Sequence, residues 1–227
     1  MQVSIIIPVY HENNINKIID SIISNETSID YEIIVVDIED QSTIKLIENE
    51  EVITTTAPQG RAFQMNKGFK LAGGDYLLFL HADTLLPNNA LECIVKTLDA
   101  PSPYSAGAFD ISIDTDDKIL TKISKMASWR SKFFKLPYGD QAIFVKKEVF
   151  ENIGGYREIS LMEDVNFMQK LKRKKQKIQI LEEQIITSAR RWEKNGVIKT
   201  TLTNIALQLL YFAGVHPNTL AKYYYKK

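Results

Sequence analysis

The stretch Gly74-Asp75-Tyr76-Leu77-Leu78-Phe79-Leu80-His81-Ala82-Asp83-Thr84 decides the fold. Tyr76 to Leu80 is an unbroken apolar run, as expected for a strand covered on both faces, and it stops at a polar His81-Ala82-Asp83. Two runs of the same kind lie upstream. Val3 to Val9 ends at Tyr10-His11-Glu12, and Glu32 to Asp37 (EIIVVD) ends on a carboxylate. Val52 to Thr56 adds a short β-branched strand. Helical patterns lie between the strands: Asn16 to Ile23, Gly60 to Ala72 closed by Gly73-Gly74, and Pro87 to about Asp99. Strands alternating with helices predict a parallel sheet with helices on both faces.

Downstream the pattern changes. Phe109, Ile111 and Ile113 alternate with Asp110, Ser112 and Asp114, which predicts a half-exposed strand and a sheet that becomes mixed. A helix over Ile119 to Phe134, a short strand over Ala142 to Lys146 and a helix from Met162 to about Lys174 follow. One or two short strands are expected in Ile178 to Ser188, then helices to the end. No linker, repeat or low-complexity tract divides the chain, so residues 1–227 read as one domain.

Composition narrows the function. The 227 residues carry 28 Lys+Arg against 28 Asp+Glu, which removes the electrostatic case for a nucleic-acid partner. At 44% hydrophobic and 25% charged residues, disorder is excluded for most of the chain. The single Cys93, read as a core residue, excludes an internal disulfide and a multi-cysteine metal site, and it fits a reducing cytoplasm. No basic leader precedes the first apolar run, so it does not read as a secretory signal. Residues 197–215 are interrupted by Lys199, Asn204 and Gln208, and read as an amphipathic rather than a spanning helix. Its seam of Ile198, Leu202, Ile205, Leu209 and Phe212 is expected to pack on the domain. A homodimer contact and a peripheral membrane contact, at the inner face for a cytoplasmic protein, are the alternatives. The basic run Lys170 to Lys177 reads as a solvated helix end, with attraction to an anionic membrane as its alternative.

In open parallel sheets, ligands bind at the carboxyl ends of the strands. Tyr10-His11-Glu12, Asp37 and His81-Ala82-Asp83 should therefore face one crevice, suited to a sugar, a ribose or a hard cation such as Mg2+ or Mn2+. No G-x-G-x-x-G follows Val9 and no G-x-x-x-x-G-K-[ST] is present, which argues against an ordinary NAD enzyme or P-loop ATPase. A diphosphate would then need a metal and basic side chains. Asp83 with Arg61, Arg190 and Arg191 can supply both.

Six segments together resemble the family 2 glycosyltransferases of the GT-A fold. They are SIIIPVYHE (Ser4 to Glu12), IIVVD (Ile33 to Asp37), GRAFQMNKG (Gly60 to Gly68), GDYLLFLHADT (Gly74 to Thr84), GDQAIFVKKEVFENIGGY (Gly139 to Tyr156) and LMEDVNFMQKL (Leu161 to Leu171). The tail SARRWEKNG (Ser188 to Gly196) and the helix after it resemble a bacterial subgroup. The resemblance implies a Rossmann-like three-layer α/β sandwich. Residues 1–100 would be the nucleotide-binding half, 101–190 the acceptor and catalytic half, and 191–227 a helical tail. It implies transfer of a hexosyl-type sugar from a UDP- or GDP-linked donor to a hydroxyl acceptor, with inversion and a divalent Mn2+ or Mg2+.

By the same resemblance, Pro8, Tyr10, Glu12 and Asp37 hold the nucleoside, and His81, Ala82 and Asp83 stand at the family's Asp-x-Asp with Asp83 on the metal. Arg61, Arg190 and Arg191, read from the residues alone as the basic groups for a diphosphate, complete the expected donor site. Gly139, Asp140 and Gln141 line the sugar and acceptor pocket. Asp164 is the general base beside Glu163. Two segments depart from the pattern: His81 replaces the first carboxylate, and Asp37-Ile38-Glu39-Asp40 replaces an Asp-Gly-Ser-x-Asp turn. The processive Q-x-x-R-W motif is absent, which favours a single-transfer enzyme. The competing classes are a sugar-phosphate nucleotidyltransferase, which wants a glycine-rich basic first loop that HENN (His11 to Asn14) does not offer, and a nucleotide-sugar-binding protein with a decayed site.

Overall fold

The computed structural model describes residues 2–25 and 27–224. The elements run β1 (Val3–Pro8), α1 (Ile15–Ile23), β2 (Tyr31–Asp37), β3 (Ile53–Thr56), α2 (Arg61–Phe69), β4 (Tyr76–Phe79), β5 (Thr84–Leu85), α3 (Ala90–Leu98) and β6 (Ala106–Asp114). They continue with α4 (Lys118–Phe134), β7 (Ile143–Lys146), α5 (Lys147–Asn152), α6 (Glu163–Arg173), β8 (Ile178–Ser188), α7 (Arg190–Asn195), α8 (Val197–Phe212) and α9 (Pro217–Tyr224).

The strands form one sheet in the order β3-β2-β1-β4-β7-β6-β8-β5. The first four pair in parallel. β7 enters antiparallel between β4 and β6, so the sheet is mixed from there on, as the alternation at Phe109 to Asp114 predicts. The period of two along β1 sends Val3, Ile5 and Ile7 to one face, against Ile15, Ile19 and Ile22 of α1 and Ile94 and Leu98 of α3. Ile6 goes to the other face with Ile34 and Val36 of β2, against Ala62 and Met65 of α2 and Phe167, Met168 and Leu171 of α6. Helices on both faces make three layers. Among the described residues no helix is long and apolar enough to cross a membrane.

Several expectations are corrected. β8 is a single strand rather than one or two short ones. A bulge opposite Ala108 to Asp110 of β6 takes up the polar Glu182-Glu183 that interrupts its apolar pattern. Asp110 does not face solvent: it is 5% exposed and pairs with Lys132 Nζ at 2.7 Å. Cys93 is only half-buried against the α1/α3 layer. The seam of α8 does not pack on the domain, since Ile198, Leu202, Ile205, Leu209 and Phe212 are all exposed.

Gly68 sets how closely α2 approaches the sheet. A Cβ there would lie 2.5 Å from Ile6 Cγ2 and 3.2 Å from Val36 Cγ2. Gly68→Ala should therefore cost roughly 1–3 kcal/mol through overpacking, despite alanine's better helix propensity. Thermal unfolding checks this, at about 2–4 °C of midpoint per kcal/mol for a chain of this size. An unchanged or raised midpoint would mean that α2 can shift outward freely.

Candidate active site

The carboxyl ends of β1, β2 and β4 open on a crevice whose first wall is the 9–14 loop. Val9 N–H still bonds Val36 O at 3.0 Å, and buried Gln64 of α2 donates to both Val9 O (2.6 Å) and Val36 O (2.7 Å). Tyr10 is then exposed, edge-on to the His11 ring at 4.3 Å. Glu12 is buried. Its backbone N–H donates to Thr43 Oγ1, and its Oε2 accepts from Arg190 Nη2 at 3.1 Å. Asp37 is fully buried and holds the next loop: Oδ1 accepts from Ile38 N–H (2.8 Å), and Oδ2 from Thr43 (2.7 Å) and Ile44 (3.0 Å). Three backbone donors thus tie the Asp37 carboxylate into the 38–44 loop, away from either hollow.

β4 delivers His81 and Asp83 to a cavity of about 250 Å3, which Arg61, Tyr138, Asp140, Asp164 and Arg191 also line. A second hollow of about 200 Å3 meets it at Asp83, Thr187 and Ser188, and is lined by Glu12, Lys17, Ala82, Asp114 and Arg190. Six of the expected residues thus share the main cavity, and Glu12, Ala82 and Arg190 share the second hollow. Pro8, Tyr10, Asp37, Gly139, Gln141 and Glu163 line neither. Gln141 is buried and anchors the 138–142 turn, donating to Phe109 O (2.9 Å) and Ser131 Oγ (3.1 Å).

Asp164 sits in the first turn of α6. Its Oδ1 accepts from Val165 N–H and its Oδ2 from Gly139 N–H, both at 2.7 Å. These two donors orient the carboxylate at the helix N-terminus. Gly139 is required for the contact, because a Cβ there would lie 2.9 Å from His81 Nε2 and 3.4 Å from Asp164 Oδ2. Glu163 turns away from the cavity, 2% exposed, onto Arg61 Nε at 2.7 Å. Burial raises its carboxyl and the Arg61 guanidinium opposes that rise.

Burial, aided by Arg61, pushes His81 down to about 3, so its imidazole is neutral at physiological pH. Asp140 is pushed up to about 6 by burial and then by the Asp164 charge, against attraction from Arg130 and Arg61. Asp83, although open to solvent, is raised by the surrounding protein, then lowered in part by Arg190.

Arg130 and Tyr138 carry no motif and were not legible. The guanidinium lies 3.4 Å from the Tyr138 ring centroid, and its Nη2 is buried without a hydrogen-bond partner among the described residues. Trp192, Asn204, Leu207, Gln208 and Tyr224 close the cavity from α7, α8 and α9. Arg191 stacks on Tyr224 at 4.0 Å.

Among the described residues no group of three or more His, Cys, Asp or Glu converges to hold a metal ion. One carboxylate with adjoining open space suits the other mode of binding hard cations, in which phosphate oxygens and water complete the shell. Asp83 fits that mode.

Residues 4–159 match the sequence model of Glycosyl transferase family 2. No curated protein matches the chain. Among solved structures, S. aureus TarS 1–349 in complex with UDP superposes with a TM-score of 0.64 at 16% identity, over 83% of this chain and 60% of that one. Mannosyltransferase PcManGT from Pyrobaculum calidifontis in complex with GDP-Man and Mn2+ gives 0.61 at 19% identity, over 82% and 56%. Both show a shared fold, and this chain spans less than two thirds of either.

The raised Asp140 has a consequence for stability. Its folded value of about 6 lies above that of an unfolded aspartate. The preference for the protonated form is therefore fully present below the unfolded value and lost as pH rises through about 6. Asp140→Asn should be more stable than the parent at pH 8 by roughly 1–2 kcal/mol, with the advantage closing between pH 6 and pH 4. Thermal unfolding across that range tests it. A pH-independent difference would remove the crowded-carboxylate account.

Proposed function

Because the chain belongs to glycosyl transferase family 2, we propose that it moves a sugar from a nucleotide-diphosphate donor to a hydroxyl acceptor with inversion, Asp164 acting as base. The observation that carries the reading is the Asp164 carboxylate, held by two backbone N–H groups on the same cavity as Asp83.

The donor's diphosphate belongs near Asp83, with Arg61, Arg190 and Arg191 as the nearest cationic side chains on the two hollows. The exposed Tyr10 ring offers a face for the nucleoside base. A divalent cation, held by Asp83 and the diphosphate, would supply Lewis-acid neutralisation of the leaving group. Neutral His81 serves as a hydrogen-bonding group toward a ribose or sugar hydroxyl. An alcohol is a poor nucleophile at neutral pH, so Asp164 takes its proton as the oxygen attacks the anomeric carbon. The bond from that carbon to the diphosphate oxygen breaks, and the electron pair leaves with the nucleoside diphosphate. One displacement inverts the centre. Glu163, committed to Arg61, positions the base without taking the proton.

Thermal unfolding with UDP, GDP, CDP and dTDP, each with and without Mn2+ or Mg2+, tests the donor site. A ligand at about 100 times its Kd stabilises by roughly 2.7 kcal/mol. One nucleotide should stabilise only with metal, and Asp83→Ala should abolish the shift. In the second arm, Asp164→Asn should retain that shift while donor turnover falls by about 10²–10⁴-fold. Normal turnover in Asp164→Asn would remove it as base, and no shift with any nucleotide would remove the donor-site reading.

A further inference from the structure

Two helical faces are left unexplained by the cavity. α4 presents Ile119, Met126, Trp129, Phe133 and Phe134 to solvent at 49% to 70% exposure, with the Trp129 and Phe133 rings stacked 5.4 Å apart. Their spacing places most of them on one stripe. α8 presents Ile198, Leu202, Ile205, Leu209 and Phe212 at 46% to 69%. The two helices share a small core in which Leu120 and Ile123 of α4, Trp192 of α7 and Val197 of α8 pack together. Exposed apolar stripes of this size mark an interaction site.

Charge identifies the occupant. The chain as a whole is neutral, yet the basic groups around these stripes are not balanced locally. Residues 118–135 carry exposed Lys118, Lys122, Lys125 and Lys135 and no acidic residue. Residues 196–224 carry exposed Lys199 and Lys222, again with no acid. The acids closest in sequence to α4 are Asp116 and Asp117, and Asp117 caps the helix by accepting from Ile119 N–H at 2.6 Å. Past the end of α8, a hollow beside Phe212 is lined by Arg157 and Arg173. A second copy of this face would bring lysines onto lysines, which opposes self-association.

We propose that α4 and α8 form a docking surface for an anionic lipid bilayer, lying in the headgroup plane with the aromatic and aliphatic stripes immersed and the lysines on lipid phosphates. No described helix can span, so the contact is peripheral. Asn204, Leu207 and Gln208, on the inward side of α8, line the catalytic cavity. Docking therefore sets that cavity about one helix diameter from the headgroups, which fits an acceptor hydroxyl presented at the membrane surface. That last step rests on the glycosyltransferase reading; the docking itself does not.

Vesicle flotation of the nucleotide-free protein is the test, with phosphatidylglycerol against phosphatidylcholine vesicles at low and high salt. The protein should float with the anionic vesicles, and salt should weaken the binding. The exposed pairs Met126→Glu/Phe133→Glu and Ile198→Glu/Leu209→Glu should each lower the bound fraction by about tenfold or more at an unchanged thermal midpoint. Nucleotide stabilisation of the same variants should be unaffected, which separates failure of docking from failure of the donor site. The proposal falls if the protein stays with buffer at low salt, or if it binds both vesicle types equally. It falls also if light scattering shows a dimer that these substitutions dissociate, since a second copy would then cover the face.

Discussion

The cavity depends on the contact of Arg61 Nε with Glu163 Oε1 at 2.7 Å. A carboxylate 2% exposed cannot remain charged without a cation beside it. Arg61 opens α2 and Glu163 opens α6, so the pair locks the first turns of two helices whose strands lie far apart in sequence. Asp164 follows directly, and the N–H groups of Val165 and Gly139 then set the direction of its carboxylate. A hydrophobic pair in this place would pack the helices equally well, but it would not fix the angle at which the first turn of α6 presents its next residue.

The same guanidinium helps to keep His81 neutral, and this bears on the charge of the site. Asp83, Asp140 and Asp164 line one cavity, and burial followed by the Asp164 charge already lifts Asp140. A further carboxylate at position 81 would add repulsion against the diphosphate of the proposed donor. Neutral imidazole keeps a hydrogen-bonding group without adding that charge. Arg130, stacked on Tyr138 and within electrostatic reach of Asp140 and Asp164, offsets the crowding from the other wall.

The fold was legible because buried strands announce themselves: the runs at Val3, Glu32 and Tyr76 are almost wholly apolar inside and each stops at a polar group, of which the crevice uses those after Val3 and Tyr76. Asp110 was misplaced because period-two alternation assigns faces without knowing that Lys132, from a helix 22 residues on, would supply a buried partner. The site was half legible. Asp83, Asp140 and Asp164 stand in motifs, and the structure gathers them. Asp37 stands in a motif too, yet its oxygens are occupied by backbone donors of the 38–44 loop, a matter of loop geometry that residue identity does not encode. Arg130 and Tyr138 meet only through packing of α4 on the turn at Gly139, so no spacing rule could find them.

The division between legible and illegible parts follows the division of labour. β8 runs parallel to β6, and its end lies on both hollows through Thr187 and Ser188; Ser188 N–H bonds Asp83 O at 3.1 Å, tying the strand to the loop that bears the carboxylate. From that anchor α7, α8 and α9 return over the cavity, and all of this wall lies beyond the residues that match the family. Diphosphate chemistry is the same for many sugars, so the residues that serve it can recur as motifs. Under the proposed function Arg190 and Arg191 at the start of this wall serve the diphosphate, and the part built by α8 and α9 is free to follow the acceptor. The helix that carries this wall also carries the exposed apolar stripe, so the proposed docking and the proposed acceptor contact use two faces of one element.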